Sequence, residues 1–126
     1  MPNRQLTLNV LLSLKERRER RVCSAITQLE RKQSQLDKLG DELMQQRKTL
    51  WQQWRDCGGD EQLMTPTQWR QFRARLAKYY QQDQSLLEQI ELGKRQRADL
   101  QQEKERQQQK LRQIQLEQEK LKIMME

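Results

Sequence analysis

The sequence predicts an all-α protein folded as a long antiparallel two-helix coiled-coil hairpin. Three observations carry this expectation. Apolar residues recur at alternating intervals of three and four, glycine and proline gather in one short central stretch, and apolar content is low. Of 126 residues, 34% are charged and 33% hydrophobic, with one Phe and no His. Globular chains carry about 45–50% apolar residues, so this one can bury only a narrow seam. A disordered chain keeps no heptad register, and this sequence keeps one over many turns.

Helix 1 is expected at about residues 6–57. Val22, Leu29, Leu36, Leu43 and Leu50 form an unbroken d-type row. Ile26, Gln33, Gly40, Arg47 and Trp54 form a mixed a-type row beside it. Leu8 and Leu12 extend the register toward the N-terminus, interrupted by Lys15 and Glu19. A turn is expected at about 58–65, where Gly58 and Gly59 can take the positive φ of a helix C-cap. Thr65 is a good N-cap, and Pro66 suits the first helical position. Helix 2 then runs to about 124. One of its rows holds Trp69, Leu76, Asp83, Ile90, Arg97, Lys104, Leu111, Gln118 and Met125. The other holds Phe72, Tyr79, Leu86, Gly93, Leu100, Gln107, Ile114 and Leu121. The whole chain, 1–126, reads as a single hairpin domain.

A short connection makes two long amphipathic helices antiparallel neighbours. Pairing residues whose numbers add to 126 gives five apolar layers: Trp54–Phe72, Leu50–Leu76, Leu36–Ile90, Ile26–Leu100 and Leu12–Ile114. Shifting one heptad, to a total of 119, gives only four.

The same turn contains Gly58-Gly59-Asp60-Glu61, the letters of a GGDE loop. In nucleotide cyclases that loop is a β-hairpin of an α/β domain, which needs strands and length absent here. The glycines make the bend. Without His there is no Ser/His/Asp set, and neither G-x-x-x-x-G-K-[ST] nor G-x-G-x-x-G occurs. The expectation is a protein with no catalytic, cofactor or metal site. Cys23 and Cys57, 34 residues apart on one helix, are too far apart to bridge within it, since a disulfide needs Cα atoms within about 7 Å. Free thiols suit a reducing compartment. No apolar run approaches the roughly 20 residues that span a bilayer. The charge order around "LTLNVLLSL" does not fit a signal peptide, so a cytoplasmic location is expected.

Two groups of residues invite partners. Trp51, Trp54, Trp69, Phe72, Tyr79 and Tyr80 lie at the hairpin end; Trp54 and Phe72 can cap the seam, while Trp51 and Tyr80 lie off it. Exposed aromatics are enriched at interface hot spots. The chain has a net charge of +7 and a pI of about 9.7, with basic runs at Lys15–Arg21 and Lys94–Arg97. Interleaved glutamates allow i,i+4 pairing that dilutes this field. Base-stacking aromatics are absent near the runs, so nucleic acid is not the expected partner. Glutamine, nearly a fifth of the chain, gives a hydrated, uncharged helical face.

This architecture, with "QLDKLGD" (Gln35 to Asp41) and "QFRARL" (Gln71 to Leu76), resembles the FliJ/YscO stalk family of type III secretion systems. The resemblance covers the whole chain in architecture. It implies a non-enzymatic central stalk, similar to the γ subunit of rotary ATPases. Such a stalk sits in the pore of a hexameric secretion ATPase and reaches an export gate at the inner membrane, without inserting into the bilayer. The matching gate-contact positions are Gln35, Leu39, Phe72 and Leu76, joined at the hairpin end by Trp51 and Tyr80. The termini-side coil would contact the ATPase through Arg17, Arg18, Arg21, Lys104 and Arg112. Glu42 and Gln46 replace helix 1 aromatics of the flagellar members, and Tyr79 replaces a small residue of helix 2. These departures fit an injectisome member better than a flagellar one. Secretion chaperones are a further implied partner. The alternative readings are a chaperone or escort for secretion cargo and a basic nucleic-acid-binding coil.

Overall fold

The computed structural model describes residues 2–57 and 63–126. It is an all-α hairpin of two helices, α1 (Pro2–Cys57) and α2 (Pro66–Met125). Helix α1 begins four residues before its expected start, with Pro2 at a first-turn position where its fixed φ is already helical. The expected C-cap and turn at Gly58 and Gly59, and the rest of the GGDE stretch, lie outside the described residues.

The start of α2 follows from its capping residues. The Gln68 backbone N–H donates to Thr65 Oγ1 at 3.2 Å, and the Thr65 N–H donates to Gln68 Oε1 at 3.0 Å. This is a reciprocal capping box, with Pro66 filling the first position where no N–H is needed. At the other ends, Arg55 in the last turn of α1 and Lys122 in that of α2 face the negative pole of each helix dipole.

Tertiary contacts divide the hairpin into two compact units. The terminal unit comprises Met1–Ser34 and Ala98–Glu126, and the central unit comprises Gln35–Arg97. In the terminal unit Leu8 and Ile114 are buried, with Leu12, Val22, Ile26, Leu29, Leu111 and Leu121 half-buried between the helices. Lys15 and Glu19 do not leave the seam; both stay half-buried in it. Lys15 Nζ is paired with Glu117 across the helices. Gln118 is also buried, and its Nε2 has no hydrogen-bond partner in the protein.

In the central unit the core is Leu43, Leu50 and Ile90, joined by one buried carboxylate, Asp83. Trp69, expected in a seam row, is instead 51% exposed and tilts against Phe72 with ring centroids 5.8 Å apart. Gly40 is helical with an ordinary negative φ, and the Arg97 guanidinium lies over the place where its Cβ would be.

The register differs by one heptad from the one that apolar counting favours. Trp54 stacks on Tyr79 at 6.5 Å rather than on Phe72, seven residues earlier. Arg47 meets Asp83 instead of lying level with Tyr79. Gln33 donates to Gln101 at 2.9 Å, and Arg97 reaches Asp37 at 3.4 Å. The observed register also supplies five layers of Leu, Ile, Val, Met and aromatic residues: Trp54–Tyr79, Leu43–Ile90, Val22–Leu111, Leu12–Leu121 and Leu8–Met125. Apolar matching therefore does not separate the two alignments. The polar pairs do: one heptad of slip would move Trp51 eight residues from the level of Asp83 and Lys15 six residues from that of Glu117.

This register makes Leu43 a buried side chain and leaves Leu36, level with Arg97, half-buried. Leu43→Ala is expected to cost about 2–3 kcal/mol, the low end for a buried Leu truncation, and Leu36→Ala clearly less. Urea unfolding of the two variants measures the difference, and equal losses would contradict the alignment.

Candidate functional site

Two surfaces gather the residues that can meet a partner. One lies in the central unit, where heptad spacing places Arg47, Trp54, Tyr79 and Asp83 at the seam and Trp51 and Tyr80 just outside it. Asp83 Oδ1 accepts from Arg47 Nε at 2.8 Å and from Trp51 Nε1 at 2.7 Å. The Arg47 guanidinium carbon also lies 4.5 Å from the Trp51 ring centroid, within cation–π range. One carboxylate thus orients both the guanidinium and the indole. Tyr80 meets Trp54 edge-on at 6.5 Å.

Trp51 remains 41% exposed and Tyr80 56%, so each ring is fixed on one side and open on the other. Rigid, half-exposed aromatics present contact area at little entropic cost, the usual property of an interface anchor. Trp51, Trp54 and Arg55 line a shallow cleft beside them.

The Arg47 hydrogen bonds hold the Asp83 carboxyl below the usual carboxylate range; burial opposes this, and the Trp51 indole and the Arg47 charge add to the lowering. The seam is only two helices thick, so desolvation is modest although Asp83 itself touches little water.

The four positions carried by the resemblance do not come together. Leu39 and Gln35 are exposed on α1, with Leu39 47% open. Phe72 and Leu76 are half-buried near the start of α2. The register sets Leu39 level with Lys94, so Leu76 lies 18 residues, or about 27 Å, farther along. Phe72 and Leu76 are nearer the aromatic group, since Leu76 is level with Cys57.

The second surface lies in the terminal unit. Arg17, Arg18, Arg20 and Arg21 are exposed. Among the described residues none has a carboxylate oxygen within 4.0 Å. The i,i+4 pairs with Glu16 and Glu19 that the sequence allows do not form. Arg18, Arg21 and Lys110 instead border an interhelical groove floored by Val22 and Ile114. Its one carboxylate, Glu117, is held below its usual range by the hydrogen bond from Lys15, with a smaller one from Gln113. Arg112 is exposed and level with Arg21. Lys104 sits differently: it is half-buried, with Nζ 3.7 Å from Glu30 and 3.4 Å from Gln33 Oε1.

No group of three or more potential metal ligands occurs among the described residues. Cys23 and Cys57 are free thiols. Among the described residues no helix is long and apolar enough to cross a membrane. Sequence reading did not find the Arg47–Trp51–Asp83 group. Its signal was present, as an acid and a base in facing seam rows with an indole one turn from the base.

Asp83→Asn tests that group. With a folded-state pKa below the unfolded one, Asp83 stabilises above its unfolded pKa, and this contribution fades as pH falls through the folded value. At pH 7 the substitution is expected to cost about 1–2 kcal/mol, discounted for the solvent flanking the seam. The gap between the melting curves should narrow as pH drops below about 4. A gap that holds constant down to pH 2 would show that charge is not what Asp83 contributes.

Comparison with protein-family models, with known proteins and with solved structures gives no match.

Proposed function

We propose that this protein is a non-enzymatic central stalk of a type III secretion system, of the injectisome kind. In this reading the terminal unit inserts into a hexameric secretion ATPase. The central unit, with its half-exposed aromatics, faces the export gate, and the protein works in the cytoplasm beside the inner-membrane apparatus. The observation that carries the reading is the antiparallel hairpin itself, with unpaired arginines in the unit that holds both chain termini and anchored aromatics in the other. Two helices have no sixfold symmetry. Inside a ring they touch each subunit differently, which is what coupling of successive nucleotide states requires. The resemblance in "QLDKLGD" and "QFRARL" supplies the identity of the system.

A cargo escort is the second reading, favoured by the cleft at Trp51, Trp54 and Arg55, which could take the apolar side of an amphipathic segment. An escort would bind export cargo through this cleft and leave ATP turnover unchanged. A nucleic-acid coil would instead lose affinity steeply with salt, with no dependence on the aromatic group.

Adding the purified chain to the secretion ATPase is expected to raise ATP turnover and favour the hexamer. Arg17→Glu combined with Arg21→Glu should weaken that effect about tenfold near 0.15 M salt, with less difference at higher ionic strength. Wild-type chain that changes neither turnover nor assembly would overturn the stalk reading.

A further inference from the structure

One edge of the central unit is apolar where a two-helix coil usually carries charge. On α1 the residue after each d-type seam residue flanks this edge, and on α2 so do the residues after Tyr79, Leu86 and Gly93. The contacts that cross the seam here are Trp51 to Asp83, Tyr80 to Trp54 and Asp37 to Arg97. Near Gly40 and Gly93 the edge positions are the polar Asp37 and Lys94. Beyond them they become Met44 and Trp51 on α1 and Leu87 and Tyr80 on α2. Met44 is 56% exposed, Trp51 and Tyr80 are open as described above, and Leu87 is half-buried. The register sets the four in the order Met44, Leu87, Trp51, Tyr80 along about 14 Å. The opposite edge of the seam is bordered by Gln46, Gln53 and Gln82. The apolar strip is therefore confined to one side.

Arg47 and Asp83, the charges beneath the strip, are bonded to each other, so covering it orphans neither. On the α1 side its rim carries Asp41 at one end, Lys48 midway and Arg55 at the other. All three are exposed, and among the described residues none has an opposite charge within 4.0 Å. On the α2 side the rim is Glu91, already paired with Lys94, then Gln84 and Ala77.

This pattern complements itself. A second copy turned end for end about a twofold axis lying across the hairpin sets α1 against α1 and α2 against α2, each pair antiparallel. Trp51 of each copy then falls against Met44 of the other, and Tyr80 against Leu87. Sulfur beside an aromatic ring is a favourable contact. Asp41 of each copy meets Arg55 of the other, so both unpaired ends find opposite charge. The two Lys48 stems cross near the axis at the water-facing rim, where their ammonium groups can diverge. A twofold axis along the hairpin would instead bring Asp41 against Glu91.

We infer that two copies of this chain associate through the strip of Met44, Leu87, Trp51 and Tyr80, in a twofold antiparallel contact closed at each end by Asp41 of one copy and Arg55 of the other. Four apolar side chains from each copy make a small interface, so the dimer is reversible and forms in the micromolar range. The inference does not rest on the stalk reading, and its failure leaves that reading in place.

The test is sedimentation equilibrium of the full-length chain from about 1 to about 200 μM near 0.15 M salt, with monomer expected at the low end and dimer at the high end. Met44→Lys and Tyr80→Lys change exposed side chains off the seam, so helicity and the melting midpoint of dilute chain should match wild type. Each is expected to weaken dimerisation about tenfold. Should a lysine variant melt early, Met44→Gln and Tyr80→Gln give the same readout. Asp41→Arg and Arg55→Asp each bring like charges together and should weaken the dimer several-fold. Combined, they exchange the two ends and should restore it. Wild-type chain that stays monomeric throughout overturns the inference and leaves the strip to a different protein. A dimer indifferent to Met44→Lys and Tyr80→Lys uses another surface, which also overturns it. A double charge variant no better than the singles would overturn the antiparallel pairing.

Discussion

The alignment of the two helices depends on charges placed inside a seam that is otherwise apolar. Each layer of a two-helix coil holds only two facing side chains, so sliding by a heptad exchanges one set of apolar contacts for another of similar size. A carboxylate at such a position tolerates no such exchange. Asp83 has Arg47 and Trp51 in the observed register; in the other it would face Leu43 and lose Trp51. In the terminal unit the Lys15–Glu117 pair has the same effect, since one heptad of slip separates the two charges. Polar seam residues weaken packing locally and define the register, a role well attested in coiled coils.

The fold class and both helices were legible because heptad spacing, the Thr65-Pro66 start and the gathering of glycine and proline in one central stretch all point one way. Every seam residue named from the spacing is buried or half-buried except Trp69, which lies in the first turn of α2. The register was not legible from apolar counting, since both alignments satisfy it equally. It was legible in charge: Lys15 and Glu19 looked like gaps in the pattern, and Lys15 proves to be a bonded seam residue. The binding surfaces were only partly readable. Spacing showed that Trp51 and Tyr80 stand off the seam, but not that a carboxylate on the opposite helix would hold the Trp51 indole in place. Nor could it show that Lys104 turns inward to Glu30 and Gln33, while Arg17, Arg18 and Arg21 stay open to solvent.

These features divide the surface chemistry between the two units. The perturbed carboxyls of Asp83, Glu103 and Glu117 are each explained by neighbours that orient them. What the hairpin offers is surface: fixed aromatics in one unit, guanidinium groups without carboxylate partners in the other. Orienting the indole through a seam carboxylate also ties the Trp51 ring to the pairing of the helices. A slip in register would release the ring.

The layer at Gly40 has a different character from its neighbours. The register sets Gly93 across from Gly40, so neither helix contributes a side chain there, and the space is taken by the Arg97 guanidinium reaching toward Asp37. Cohesion at this point comes from a partly hydrated ion pair instead of hydrocarbon. Raising the electrolyte concentration screens such a pair and hardly touches apolar burial. Brine would therefore loosen the hairpin at Gly40 and Gly93 while the Leu43–Ile90 layer beside them stays closed.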